Sequence, residues 1–238
     1  MSIGRTKEHS LIQVEIRPVE GVDVFCPKAV EHWLSVLRDV GTNTELFRKN
    51  ADAISFALGL RFAEYLPMVT REIITPVGEI NAHFISSEGI LLVAVLRSGY
   101  PMCQGIGQAL PVATVALVDI KRDEETAEAR LNYDGLPDSL AQFDEVIIPD
   151  PMLATGGSAA MTIEMLKKRG AQNIHLVSIV SAPEGIMRIK QDWPDVKITT
   201  CAIDKGLNAR KYIVPGLGDF GDRYFSEINY CYIIREDL

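Results

Sequence analysis

The sequence predicts an α/β protein built on a parallel sheet with helices on both faces. Apolar runs suited to buried strands (residues 90–96, 112–120, 146–148, 174–180 and 196–203) alternate with segments of helical periodicity. Such alternation implies right-handed crossovers within one parallel sheet. The third run also passes directly into Asp150-Pro151-Met152-Leu153-Ala154-Thr155-Gly156-Gly157-Ser158. Two glycines and two hydroxyls ahead of a helix form a cradle for an anion, because backbone N–H groups face outward and no side chain blocks a phosphate.

Residues 1–25 form a polar arm with a short alternating run at 11–16, read as a strand or as a contact with a second copy. Pro27 opens a helix in which Val30, Trp33, Leu34 and Leu37 share a face, and Gly41 breaks it. A second helix runs to Tyr65, with Thr42 or Thr44 as its cap and Leu46, Phe47, Ile54 and Leu58 among its apolar positions. Residues 69–75 and 79–85, joined through Pro76-Val77-Gly78, read as a hairpin. These elements occupy residues 27–88, and the core with the cradle occupies 89–206.

Within the core, residues 121–142 turn polar and acidic, with turn signals at Asp134-Gly135 and Pro137. A loop of that length inside a compact domain usually serves function. The helix after the cradle aligns Ala160, Ile163 and Leu166. Lys167, Lys168 and Arg169 fill its last turn, where the helix dipole favours cations, and Gly170 stops it. With a further helix at 183–190 between the last two strands, all 238 residues read as one domain with N- and C-terminal additions.

Composition bounds the function. A net charge of −8 disfavours a nucleic-acid partner, so anionic substrates must be met by local arginines. Cys26, Cys103, Cys201 and Cys231 are scattered without metal-binding or disulfide spacing. No stretch is long and apolar enough for a membrane span, and the first ten residues lack a signal-peptide core, so a cytoplasmic protein is expected.

Two side chains stand where a ligand would meet them. Asp150, held extended between Pro149 and Pro151, sits at a strand's carboxyl end beside the cradle, where a carboxylate can hold sugar hydroxyls. The N–H that Pro149 lacks costs a ladder bond unless the strand ends there. Arg97 likewise follows a buried strand directly, either facing the crevice or ending the strand as a surface residue. No lysine follows the glycines and no GxGxxG is present, so phosphate plus sugar hydroxyls points to a phosphorylated ribose. His175 opens an apolar strand and is read as structural.

DPMLATGGSA resembles the phosphoribosyl-pyrophosphate (PRPP) motif of the uracil phosphoribosyltransferases. VLRSG at residues 95–99, KRDEET at 121–126 and YIVPGLGDFGDR at 212–223 agree with it in order and interval. The resemblance implies the phosphoribosyltransferase fold and the conversion of uracil and PRPP to UMP and diphosphate in pyrimidine salvage. It assigns Arg97 and Arg122 to the diphosphate, although KRDEE alone reads as a solvated charge run. Asp150 falls to the ribose hydroxyls, Ala154, Thr155, Gly156, Gly157 and Ser158 to the 5-phosphate, and Pro151, Met152, Leu153 and Asp219 to PRPP as well. Residues 207–226, otherwise an irregular surface loop, become a hood over uracil, read through Tyr212, Ile213, Gly218, Asp219 and Phe220. Backbone groups do the reading, and changes to the Phe220 side chain are expected to alter pocket size.

The resemblance further implies Mg²⁺ carried mainly by PRPP, a homodimer or homotetramer, and GTP as an effector in some members. Two rivals are a catalytically weak homologue that senses nucleotides and a nucleic-acid-binding regulator on the same fold. Retention of the four charged positions speaks against the first and the acidic balance against the second.

Overall fold

The computed structural model describes residues 19–86, 89–122 and 129–226, apart from the side chains of residues 121, 122 and 129. In chain order the elements begin with β1 (Val22–Val24), α1 (Lys28–Arg38), α2 (Thr44–Ala63), β2 (Met68–Thr75) and β3 (Gly78–Ile85). Next come β4 (Ile90–Leu96), α3 (Gly99–Ala109), β5 (Thr114–Arg122), β6 (Ala129–Asp134), β7 (Glu145–Pro149) and β8 (Met152–Leu153). The chain continues with α4 (Gly157–Lys168), β9 (Ile174–Ser181), α5 (Pro183–Asp192), β10 (Lys197–Ile203), β11 (Gly206–Leu207), β12 (Ile213–Val214) and α6 (Phe220–Phe225).

The central sheet has the order β1-β10-β9-β7-β4-β5-β6, with β8 continuing β7 along β9. Every pairing is parallel except β5 with β6. Side chains of β4 alternate between two cores: Ile90, Leu92 and Ala94 face α1, α2 and α3, whereas Leu91, Val93 and Val95 face α4 and α5. A strand covered on both faces has no polar side, which is why β4 is apolar throughout. Each fully buried Leu, Ile or Val there contributes roughly 1.5–3 kcal/mol.

The structure corrects several sequence expectations. The second helix is capped by neither threonine: Asn43 Oδ1 accepts the Leu46 N–H at 2.9 Å, and Thr42 Oγ1 donates instead to Val36 O at 2.6 Å. Residues 121–142 are not one long loop, because β5 runs on to Arg122 and returns as the antiparallel β6. Residues 123–128 between them lie outside the described part, as does the alternating run at 11–16. Of the N-terminal arm, residues 22–24 form a parallel edge strand on β10. Pro149 does not disturb its strand. Val146 and Asp150 donate toward the β9 side, to Asn173 O and Val177 O, so position 149 faces β4. The β4–β7 register ends at Ile147. Cys26, Cys103 and Cys201 are free thiols, while Cys231 lies outside the described residues.

Candidate active site

The carboxyl ends of β4 and β7 and the N-terminus of α4 enclose a cleft of about 220 Å³. Asp150, Met152 and residues 154–158 line one side; Val95, Leu96, Ser98 and Gly99 line the other. Gly156 caps α4 with φ +73°, a left-handed conformation that few side chains tolerate, and this turn aims the N–H groups of the first helical turn into the cleft. Gly99 lets the two walls approach: a β-carbon there would lie 2.6 Å from Pro149 O.

Asp150 is half-buried on this floor, and its Oδ1 accepts the Met152 N–H at 3.2 Å. Burial pushes its carboxyl up to about 6, against the pull of that N–H. The expected cradle residues divide. Met152, Ala154, Thr155, Gly156, Gly157 and Ser158 line the cleft. Pro151 and Leu153 do not: both are buried, and Leu153 is a core residue of β8. Alternation along that short strand sends Met152 to the cleft and Leu153 inward. Arg97 stands at the rim, its side chain 60% exposed, with Nη2 4.0 Å from Asp222 Oδ1 and its guanidinium 5.6 Å from the centre of the Phe225 ring. The Arg122 side chain lies outside the described part; its backbone ends β5.

The C-terminal segment folds over this end of the sheet as structured elements rather than an irregular loop. Ile213–Val214 pairs with Gly206–Leu207, and the chain turns through Pro215 into the six-residue α6. Asp219 caps that helix, its Oδ1 accepting the Asp222 N–H at 3.0 Å. Its carboxylate is therefore partly committed to the backbone. The Phe220 ring is buried, edge-on to Phe47 at 5.4 Å and stacked on Tyr224 at 5.6 Å. The side chain anchors the segment to α2, and none of Tyr212, Ile213, Gly218, Asp219 and Phe220 lines the cleft itself. Tyr212 is exposed, Ile213 buried and Gly218 exposed. Segment and cleft meet at Gly221, where a β-carbon would lie 3.0 Å from Ser98 Oγ and 3.2 Å from Asp219 Oδ1.

Three charged residues fix this segment: Arg38, Asp204 and Arg223. Arg38 forms a two-pronged ion pair with Asp204 at 2.7 and 2.8 Å and also donates to Gly216 O at 2.7 Å. Asp204 in turn accepts the Gly216 N–H at 2.9 Å. Arg223 is buried and donates to Leu37 O, to Leu217 O at 2.8 Å and to Asp39 O at 2.7 Å, with its guanidinium 4.4 Å from the centre of the Phe47 ring. The signal that could have revealed this was the pair of charged blocks Leu37-Arg38-Asp39 and Gly221-Asp222-Arg223, each set in an otherwise apolar or glycine-rich stretch. Among the described residues no three metal-ligating side chains converge.

A mostly parallel sheet covered on both faces, with a glycine-capped helix N-terminus and Asp150 at its carboxyl edge, is the architecture of the type I phosphoribosyltransferases. The adenine phosphoribosyl transferase of Trypanosoma brucei shares the fold: TM-score 0.54 at 11% identity, over 84% of this chain and 89% of that one. At the level of sequence, a family model described as uracil phosphoribosyltransferase matches residues 25–226. The uracil phosphoribosyltransferase of Streptococcus pneumoniae is 40% identical over 204 residues, 86% of this chain and 97% of that protein. The one from Thermoanaerobacter sp. is 41% identical over 196 residues, 82% of this chain and 93% of that protein. A solved structure, the AQ2163 protein from Aquifex aeolicus, superposes with TM-score 0.80 at 32% identity, covering 86% of this chain and 98% of that chain. The chain belongs to the uracil phosphoribosyltransferase family.

Proposed function

We propose that the protein transfers the phosphoribosyl group of PRPP to uracil, releasing UMP and diphosphate. The observation that carries the reading is the contact between two half-sites: the α4 cradle with Asp150, and the hood that reaches Ser98 through Gly221. In the proposed pose the 5-phosphate lies on the N–H groups opening α4 and the ribose hydroxyls bond Asp150. The base lies under residues 212–220. Uracil N1 attacks the anomeric carbon, the bond from that carbon to the diphosphate oxygen breaks, and the N1 proton is lost. Arg97, and Arg122 on β5, would offset charge on the leaving diphosphate.

Mg²⁺ fits this donor set as an ion that arrives on its substrate, since among the described residues a single half-buried carboxylate borders the cleft. Bound so, it would neutralise diphosphate charge. The nucleotide-sensing and nucleic-acid-binding alternatives have no observation in their favour.

Self-association belongs to the same reading. Among the described residues the β2–β3 hairpin pairs only with itself, and it exposes Met68, Ile74, Val77 and Ile80, with Ile74 82% and Val77 97% accessible. An isolated two-stranded hairpin is marginal in water, so a homodimer or homotetramer that covers it is consistent with the physics. No helix among the described residues is long and apolar enough to cross a membrane. Pyrimidine salvage in the cytoplasm is the setting this activity implies. The test is UMP formation from uracil and PRPP with Mg²⁺, run with and without GTP to read out an effector response. Absence of UMP from folded protein would overturn the assignment.

A further inference from the structure

One cation near the cradle is unaccounted for by the motif. The first turn of α5 packs directly under the phosphate loop: a β-carbon on Gly185 would lie 2.5 Å from Ala154 O. One turn later, Arg188 lies against the two glycines that open α4. A β-carbon on Gly156 would be 3.6 Å from Arg188 Cδ, and one on Gly157 would be 3.6 Å from Arg188 Nη1 and 3.7 Å from Thr155 Oγ1. Both glycines and Thr155 line the cleft, so the guanidinium stands beside the backbone that forms its wall, just outside the lining itself.

The usual partner for an arginine at this helical position is the acid four residues earlier. That acid, Glu184, is turned away and accepts the Leu207 N–H at 3.0 Å. Arg188 is exposed and makes no hydrogen bond or ion pair with any described residue. A cation beside a helix N-terminus is opposed by the positive end of the dipole. The arrangement becomes favourable when an anion sits between them. The cleft lining itself contributes N–H groups and hydroxyls but no cation, and Arg97 lies at the rim toward α6.

We propose that Arg188 is a further ligand of the 5-phosphate, closing from α5 onto the anion held by the α4 N-terminus. The inference rests on the phosphoribosyl-transfer reading and adds to it a residue outside the PRPP motif. It also sets a preference: ligands with a phosphate on the ribose gain from Arg188, whereas diphosphate at the opposite wall does not.

The test is calorimetric titration of the full chain and of Arg188→Ala and Arg188→Lys with ribose 5-phosphate, UMP and diphosphate, alongside KM for uracil. Arg188→Ala is expected to weaken ribose 5-phosphate and UMP about three- to tenfold, an exposed charge-assisted contact, while diphosphate affinity and the uracil KM stay in place. Arg188→Lys should recover part of the loss. Equal affinity for ribose 5-phosphate in wild type and Arg188→Ala overturns the proposal, and so does an equal loss for diphosphate, which would mark a general field effect. If the wild type binds neither ribose 5-phosphate nor UMP, the phosphoribosyl reading fails, and that result is distinct from a failure of Arg188.

Discussion

Two titratable side chains, one half-buried and one buried, make opposite demands on pH. Asp150 has its carboxyl raised from an ordinary 3.8 to about 6 by burial. The unfolded chain therefore ionises first, and this residue's contribution to stability is fullest below about 3.8 and declines as pH rises through about 6. On the proposed reading the ionised carboxylate serves the ligand, since that form is what sugar hydroxyls bond most strongly. Asp150→Asn is expected to raise Tm at pH 7.5 by a few degrees, about 1–2 kcal/mol. The same change should weaken PRPP by roughly 1.5–3 kcal/mol per charge-assisted bond lost. Thermal melts and PRPP titration on one preparation check both. His175 runs the other way. It packs edge-on against Phe62 at 5.2 Å, shares Nε2 with Thr199 Oγ1 at 2.8 Å and leaves Nδ1 buried without a partner among the described residues. Burial lowers its imidazole from 6.5 to about 4, with Lys197 adding to the effect. Its contribution is present above pH 6.5 and lost as pH falls through about 4. His175→Phe is expected to flatten the fall of Tm over that interval. A slope equal to wild type would show that other groups set the acid limit.

At the scale of elements, the sequence announced what is long and periodic. Five apolar runs, four helices and the hairpin are where spacing placed them, because burial on one or both faces leaves a repeat that can be read. What it did not announce depends on partners distant in the chain. Residues 22–24 become a strand only because β10 offers an edge. The six residues of α6 are too few for a period; the helix exists because Asp219 caps it and Phe220 is buried against α2. The burial of the Phe220 ring was not legible for the same reason, since a buried aromatic and an exposed one look alike in sequence. The cradle was legible because backbone geometry is encoded locally, by glycines. The hood's support was not, because Arg38 and Asp204 lie 166 positions apart. Arg38→Ala would leave the fully buried Asp204 carboxylate without its cation, a loss of about 3–5 kcal/mol. On the proposed reading KM for uracil should rise while KM for PRPP holds, because neither residue of the pair lines the phosphate cleft. Arg38→Lys, keeping one of the bonds, should fall between. Parallel increases in both KM values would count against a hood positioned by this pair.

For the molecule as a whole, the hairpin and the first strand decide what a working unit is. If the exposed apolar residues of β2 and β3 are covered by another copy, sedimentation should give a mass of at least two 26.3 kDa chains. The double change Ile74→Lys and Val77→Lys should then shift it toward one, whereas unchanged mass would place the contact elsewhere. The strand at 22–24 has a different consequence. The family match begins at residue 25, three positions after that strand begins. A fragment trimmed to the shared region would lose Asp23, which accepts from Arg61 at 2.8 Å and from Tyr65 at 2.9 Å, and would bare the hydrogen-bonding edge of β10. Such an edge recruits other strands. Homology and foldability therefore have different borders here: a fragment starting at residue 25 is expected to melt lower and to aggregate through β10, while one starting at residue 19 retains the strand and should not.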